Sequence, residues 1–222
     1  MSDIFYRRLR TLGWPLIFGA SQQLVLHEER ARLAGGCLLA ANHHSFYDAM
    51  LLVGTTTREI DWLSIVELFQ NPWQRWFMRG INCLALDRSR KDTATTREIV
   101  RRLQAGRVVG LFPEGTIRRG RDSVVYGGEI DAGIVRLAEM SGRPILPVVI
   151  LGGSQFSEVK AWLPGAGTRI GVNYGEPITL RRDVPRTKAR EEMAERLKEA
   201  FVALFSELTT HPEWQKGVGE DF

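Results

Sequence analysis

Cys37-Leu38-Leu39-Ala40-Ala41-Asn42-His43-His44-Ser45-Phe46-Tyr47-Asp48 is the stretch from which the fold can be read. Its apolar opening is a short uninterrupted run, the mark of a strand covered on both faces. A polar turn follows, and then a short apolar helix over 49–53. His43 and Asp48 are five residues apart. On one continuous helix that spacing turns through roughly 500°, so the two side chains would not share a face. With His43 in the turn and Asp48 in the first helical turn, the carboxylate can fold back toward the imidazole. That places a base beside an orienting acid, the arrangement that activates a hydroxyl for acyl transfer. Ser45-x-x-Asp48 also fits a capping box, in which the same carboxylate serves the free amides of the first turn. Both readings stand on these residues alone, and Asn42 and His44 read as turn residues.

The same alternation continues outward. A strand is expected over 60–65. Asn71-Pro72 starts a helix and Gly80 stops it. In that helix Trp73, Trp76 and Phe77 share a face. Core packing is the ordinary use of such a face, although three large rings beside Arg75 and Arg79 also suit a surface touching lipid headgroups or an acyl chain. Cys83-Leu84-Ala85-Leu86 reads as a strand running into Asp87-Arg88-Ser89-Arg90-Lys91-Asp92. A basic cluster there lies where open α/β sheets bind ligands, at the carboxyl end of a strand; a solvated turn is the plainer reading. An amphipathic helix over 93–104, closed by Gly106, leads to a strand over 108–112. That strand ends in Pro113-Glu114-Gly115-Thr116, with Arg118, Arg119 and Arg121 beyond. A helix over 131–140 stops at Ser141-Gly142. A strand follows over 144–151, and Pro147 within it suggests an edge or irregular strand. A last strand over 168–174 precedes a long amphipathic helix over 187–208, with Met193, Leu197, Phe201, Leu204 and Leu208 on its apolar side. There are no repeats or low-complexity tracts. Strands alternating with helices predict one α/β domain with a mixed, mostly parallel sheet flanked by helices.

The 222 residues suffice for a sizeable core, and 44% apolar with 25% charged side chains is ordinary for a globular chain. A net charge of +4 suits an acidic surface or a phosphorylated substrate without choosing between them. Cys37 and Cys83 lie in apolar contexts with no CxxC or histidine-rich neighbour, so they read as core residues in a reducing compartment with no metal site. No apolar run approaches the eighteen or so residues of a spanning helix. Arg7, Arg8 and Arg10 precede an apolar stretch that superficially resembles a signal peptide, but Pro15 breaks it. Two short helices are expected instead, over 3–12 and 16–32, interrupted at Gly13-Trp14-Pro15. Ile4, Phe5, Leu9 and Leu12 fall near one face among arginines, as in a segment lying flat in a membrane interface. The expected organisation is a helical, interfacial segment over 1–32 and the main domain over 33–222.

Four stretches together resemble the glycerolipid acyltransferase family, best known for 1-acylglycerol-3-phosphate acyltransferases. Asn42-His43-His44-Ser45-Phe46-Tyr47-Asp48 matches the family's N-H-x-S-x-x-D block. Gly80 through Arg88 is similar to the second, Phe112-Pro113-Glu114-Gly115-Thr116 matches the third, and Leu146-Pro147-Val148 the fourth. The likeness covers roughly 38–150 in order, and the fourth block accounts for a proline in a strand.

The resemblance implies that His43 is the general base and Asp48 the residue that fixes its tautomer and stabilises the imidazolium. Arg88 would bind the acceptor's phosphate, and Glu114, Gly115, Thr116 and Arg118 would help form the acceptor site. The acyl donor would be acyl-CoA or acyl-carrier protein and the acceptor a lysophospholipid. No cofactor or metal is implied, and the setting would be the cytoplasmic face of a membrane, held peripherally. One departure concerns the acceptor: the family usually has arginine directly after Glu-Gly-Thr, and here Ile117 stands there with Arg118 next. That leaves an acceptor other than plain lysophosphatidate as the alternative. A non-catalytic lipid-binding module would use the same basic and aromatic residues but has no need of His43 and Asp48. Nucleic acid is not an expected partner, because no recognised nucleic-acid motif accompanies the arginines.

Overall fold

The computed structural model describes residues 3–15, 19, 21–45, 48–87, 89, 92–152 and 169–216. Helix α1 (Ile4–Arg8) widens into a π-helical turn over Leu9–Gly13. Then come β1 (Gln22–Leu26), a 3₁₀ turn (Glu28–Arg32), β2 (Cys37–Ala41), α2 (Asp48–Thr55) and β3 (Ile60–Ile65). Next are α3 (Pro72–Gly80), β4 (Leu84–Leu86), α4 (Thr93–Gln104), β5 (Val108–Leu111), α5 (Gly133–Ser141) and β6 (Ile145–Leu151). The described chain closes with β7 (Arg169–Tyr174), the 25-residue helix α6 (Arg186–Thr210) and the single turn α7 (Pro212–Gln215).

The seven strands form one sheet in the order β1-β7-β6-β2-β5-β3-β4. Strands β6, β2, β5, β3 and β4 run parallel, β7 is antiparallel to β6, and β1 is parallel to β7. This is the expected mixed, mostly parallel sheet flanked by helices. Alternate residues of each buried strand enter opposite layers. Leu38 and Ala40 join α4, α5, α6 and α7 on one face, while Cys37, Leu39 and Ala41 join α1 and α2 on the other. Both faces are covered, so the strands read as unbroken apolar runs.

Two expectations are corrected. The second N-terminal helix, over 16–32, does not form across its described part. Gln22–Leu26 is an edge strand paired along its length with β7, and Glu28–Arg32 is a 3₁₀ turn. Leu24 and Leu26 pack toward one layer and Val25 toward the other, so spacing in sequence does not betray the strand. Residues 16–18 and 20 lie outside the described residues. Second, β6 is not an edge strand despite Pro147. It lies between β7 and β2. Its ladder with β7 begins at Val148, and the Pro147 carbonyl accepts from Gly175, one residue beyond β7. The missing N–H therefore falls where the neighbouring strand has already ended.

Candidate active site

The parallel strands β2 and β5 are neighbours, so the loops after Ala41 and Leu111 meet at the carboxyl edge of the sheet, where open α/β folds bind ligands. Asn42 continues β2 by side-chain bonds: its amide nitrogen donates to the Ile150 carbonyl at 2.9 Å, and its oxygen accepts from the Ile150 N–H at 2.7 Å. The strand edge is thus pinned immediately before His43.

His43 Nδ1 lies 2.9 Å from Asp48 Oδ2. That oxygen also accepts the main-chain N–H of His44 at 2.7 Å and of Ser45 at 2.9 Å. The other, Oδ1, accepts the Ser45 hydroxyl at 2.9 Å. Asp48 is fully buried at the start of α2. The two sequence readings hold together: one carboxylate ties down the turn entering the helix and orients the imidazole. With an Nδ1–H donating to Asp48, the lone pair of the neutral ring sits on Nε2. His43 is partly buried, and its ring stacks on Phe112 with centroids 4.0 Å apart and planes within 13°. Phe112 in turn stacks on Trp62 of β3. A ring backed on one face and hydrogen-bonded at one nitrogen has little freedom to turn, as positioned base catalysis requires.

Glu114 is buried beneath this loop. One carboxylate oxygen accepts the His43 N–H. The other accepts the Ser123 hydroxyl at 2.7 Å and the Val124 N–H at 2.9 Å. Gly115, in left-handed backbone with φ 73°, turns its N–H inward to the Phe112 carbonyl at 3.0 Å. A residue with a Cβ would be strained in that turn. Thr116 is exposed at the turn's outer end. The Arg118 N–H donates to the His43 carbonyl at 3.1 Å, which starts the Arg118 side chain beside the histidine. Ile117, Arg118, Arg119 and Asp122 line an open depression of about 500 Å³. Among the described residues no group of three or more His, Cys, Asp and Glu is placed to hold a metal ion.

Residues 23–151, more than half of the chain, match the profile of the family described as Acyltransferase. The chain belongs to the acyltransferase family. Among its relatives is the 1-acyl-sn-glycerol-3-phosphate acyltransferase of Bacillus subtilis (strain 168), 29% identical over 136 residues, which are 61% of this chain and 65% of that protein. The probable 1-acyl-sn-glycerol-3-phosphate acyltransferase of Mycoplasma pneumoniae is also 29% identical, over 64% of this chain and 56% of its own length. The chain thus spans less than two thirds of the length of these curated relatives. A similar solved structure is the 1-acyl-sn-glycerophosphate acyltransferase PlsC from Thermotoga maritima, with a TM-score of 0.62 and 23% identity. The likeness covers 94% of this chain and 79% of that one, and shows that the two share a fold.

Of the acyltransferase site residues expected from sequence, His43, Asp48, Glu114 and Gly115 come together around the two loops, with Arg118 hydrogen-bonded to the same turn. Arg88, Phe46 and Tyr47 lie outside the described residues. The fold adds participants that sequence did not single out. Phe112 faces the His43 ring because β5 lies against β2, and Ser123 reaches Glu114 from nine residues away. Strand adjacency decides the first contact and the folding back of the connection after β5 the second, and no spacing pattern signals either.

Proposed function

We propose that this protein is an O-acyltransferase that moves a fatty acyl group from the thioester of acyl-CoA or acyl-carrier protein to a lysophospholipid hydroxyl. The preferred acceptor is 1-acylglycerol-3-phosphate, giving phosphatidate at the cytoplasmic face of a membrane. The observation that carries the reading is the His43–Asp48 pair at 2.9 Å, with Asp48 fully buried and its remaining acceptor capacity directed to the same turn. The names of the curated relatives support the choice of acceptor.

In this mechanism His43 Nε2 takes the proton of the acceptor hydroxyl as its oxygen attacks the thioester carbonyl. Asp48 holds the Nδ1–H and stabilises the imidazolium that forms. As the tetrahedral centre collapses, the carbon–sulfur bond breaks and the imidazolium proton passes to the leaving thiolate. Transfer is direct and needs no acyl-enzyme. General base catalysis of this kind is worth ~10²–10⁴ in rate. Arg118, starting beside His43, supplies a guanidinium fork suited to phosphate oxygens. Arg88, following β4, is a further proposed phosphate ligand. Ile117 beside Arg118 on the open depression favours a second reading, a lysolipid acceptor with a different headgroup.

The test is acyl transfer by the purified protein to lysophosphatidate and a panel of other lysolipids, from acyl-CoA and from acyl-carrier protein. Phosphatidate formation that His43→Ala abolishes and Asp48→Asn lowers by ~10²-fold or more supports both mechanism and acceptor. Acylation of another lysolipid only would move the assignment to the second reading. Full activity in His43→Ala would overturn the mechanism.

A further inference from the structure

Three rings meet near the carboxyl edge of the sheet, each supplied by a different strand. His43 follows β2, Phe112 follows β5 and Trp62 lies in β3, and β5 is the middle strand of the three. The His43 and Phe112 centroids are 4.0 Å apart with planes within 13°; the Phe112 and Trp62 centroids are 5.6 Å apart with planes within 12°. The ring from the middle strand is thus stacked with both of its neighbours. Two features of this row work against stability. Trp62 is 2% exposed, and its indole N–H has no hydrogen-bond partner among the described residues. An unpaired buried donor is costly, and a buried tryptophan usually finds a partner for it. Opposite Trp62 in the ladder stands Gly110, inside a buried strand where glycine is disfavoured. A Cβ there would stand 2.7 Å from the indole ring. An aliphatic residue in place of Trp62 would bring no orphan donor. What the position retains is a broad flat ring, with room made for it against Phe112.

The face of an aromatic ring carries negative charge and its edge positive charge, so a cation within about 6 Å of the face is attracted to it. A neutral imidazole gains little from that field, and an imidazolium gains it in full. Asp48 meets His43 at the ring edge, through Nδ1. Phe112 meets it on the ring face. Both act on a charge that exists only once the proton has moved, and an interaction stronger in the transition state than in the ground state raises kcat.

We propose that Phe112, held flat by Trp62, is a positioning residue for acyl transfer whose π face fixes the His43 ring and stabilises the imidazolium formed when Nε2 takes the acceptor's proton. This rests on the acyltransferase reading, which supplies that proton. Trp62 acts at one remove, by keeping the Phe112 face turned to the imidazole.

The experiment replaces Phe112 in the full chain with mono-, di- and trifluorophenylalanine, which drain the π face of negative charge while nearly keeping its shape. On the alkaline plateau of the pH–rate profile, kcat should fall stepwise with fluorine count, by about twofold to thirtyfold across the series. The acceptor's KM and the denaturant midpoint should change little. Trp62→Leu and Phe112→Leu should each lower kcat, and the double variant should be no worse than Phe112→Leu alone, because the tryptophan works through the phenylalanine. Trp62→Phe, which keeps a flat ring and drops the orphan donor, should retain most of the activity. If the leucine variants fail to fold, the fluorinated series still decides. Modification of His43 by diethyl pyrocarbonate, followed by mass spectrometry, builds positive charge on the same ring without any acyl substrate and should slow in the same order. An active parent whose kcat is flat across the series overturns the proposal and leaves the enzyme reading standing. So do leucine variants whose losses simply add, which would make Trp62 a core residue only. A parent that acylates no acceptor, with modification still graded by fluorine count, sinks the enzyme reading and leaves the ring stack as a stabiliser of charge on His43.

Discussion

Glu114 is bonded like a structural tie, although its place in the sequence suggests an acceptor ligand. Its two oxygens accept from His43, Ser123 and Val124, and the side chain is buried. It therefore acts on the reaction by holding the turn that carries the base. Glu114→Gln replaces one acceptor oxygen with an NH₂ that must face a donor. The expected result is about 1–3 kcal/mol of lost stability, read from denaturant unfolding, with a fall in kcat that outweighs any rise in the acceptor's KM. A raised KM at unchanged kcat and stability would instead place Glu114 in direct contact with the acceptor. Asp48 shows the same economy, since helix entry and base orientation use one carboxylate. The sequence offered the two roles as alternatives, and the distances admit both.

Helix α1 is fastened to the sheet by a chain of charges. Asp61 of β3 is fully buried, with Arg107 Nε at 2.6 Å and Arg102 of α4 at 3.0 Å. Arg107 continues to Asp3, which also accepts from Asn82 at 2.7 Å. The hydrogen bond from Arg107 holds the Asp3 carboxyl below its ordinary range, against the opposing effect of burial. A carboxyl lowered in this way contributes stability that is fully present above the unfolded value near 4 and is lost as pH falls through the lower folded value. Amide hydrogen exchange in α1, corrected for intrinsic rates, should accelerate as pH falls below about 4. In Asp3→Asn it should be fast already at neutral pH and lose that pH dependence. Equal protection in the variant and the parent would show that packing of Tyr6 and Phe5 alone holds the helix. At this scale the sequence was legible wherever period and stop signals agreed, as in α4 and α6. It misled at Gln22–Leu26, where both faces of an edge strand find apolar cover.

The molecule as a whole keeps its reactive sulfur inside. Burial pushes the Cys37 thiol up to about 11 and the Cys83 thiol up to about 12. Thiolate is the nucleophile, so neither should react with a thiol reagent at pH 8 in the native protein, and both should react on unfolding. One prompt equivalent in the native state would show that one of the core layers opens readily.

No helix among the described residues is long and apolar enough to cross a membrane. The ring face of α3, exposed at Trp73 and Trp76, divides what the sequence decided from what it left open. Outside Gln22–Arg32, period and composition determined which residues form strands and helices, the turn holding His43 and Asp48, and the ring ridge on α3. Such signals act within a few residues of one another and are fixed by local geometry. Only the tertiary structure decided which way the ridge faces, that β6 and not an edge strand carries Pro147, and that Phe112 and Glu114 lie against His43. Those facts depend on which strands become neighbours, a choice made by burying both faces of the sheet across separations such as the 71 residues between His43 and Glu114.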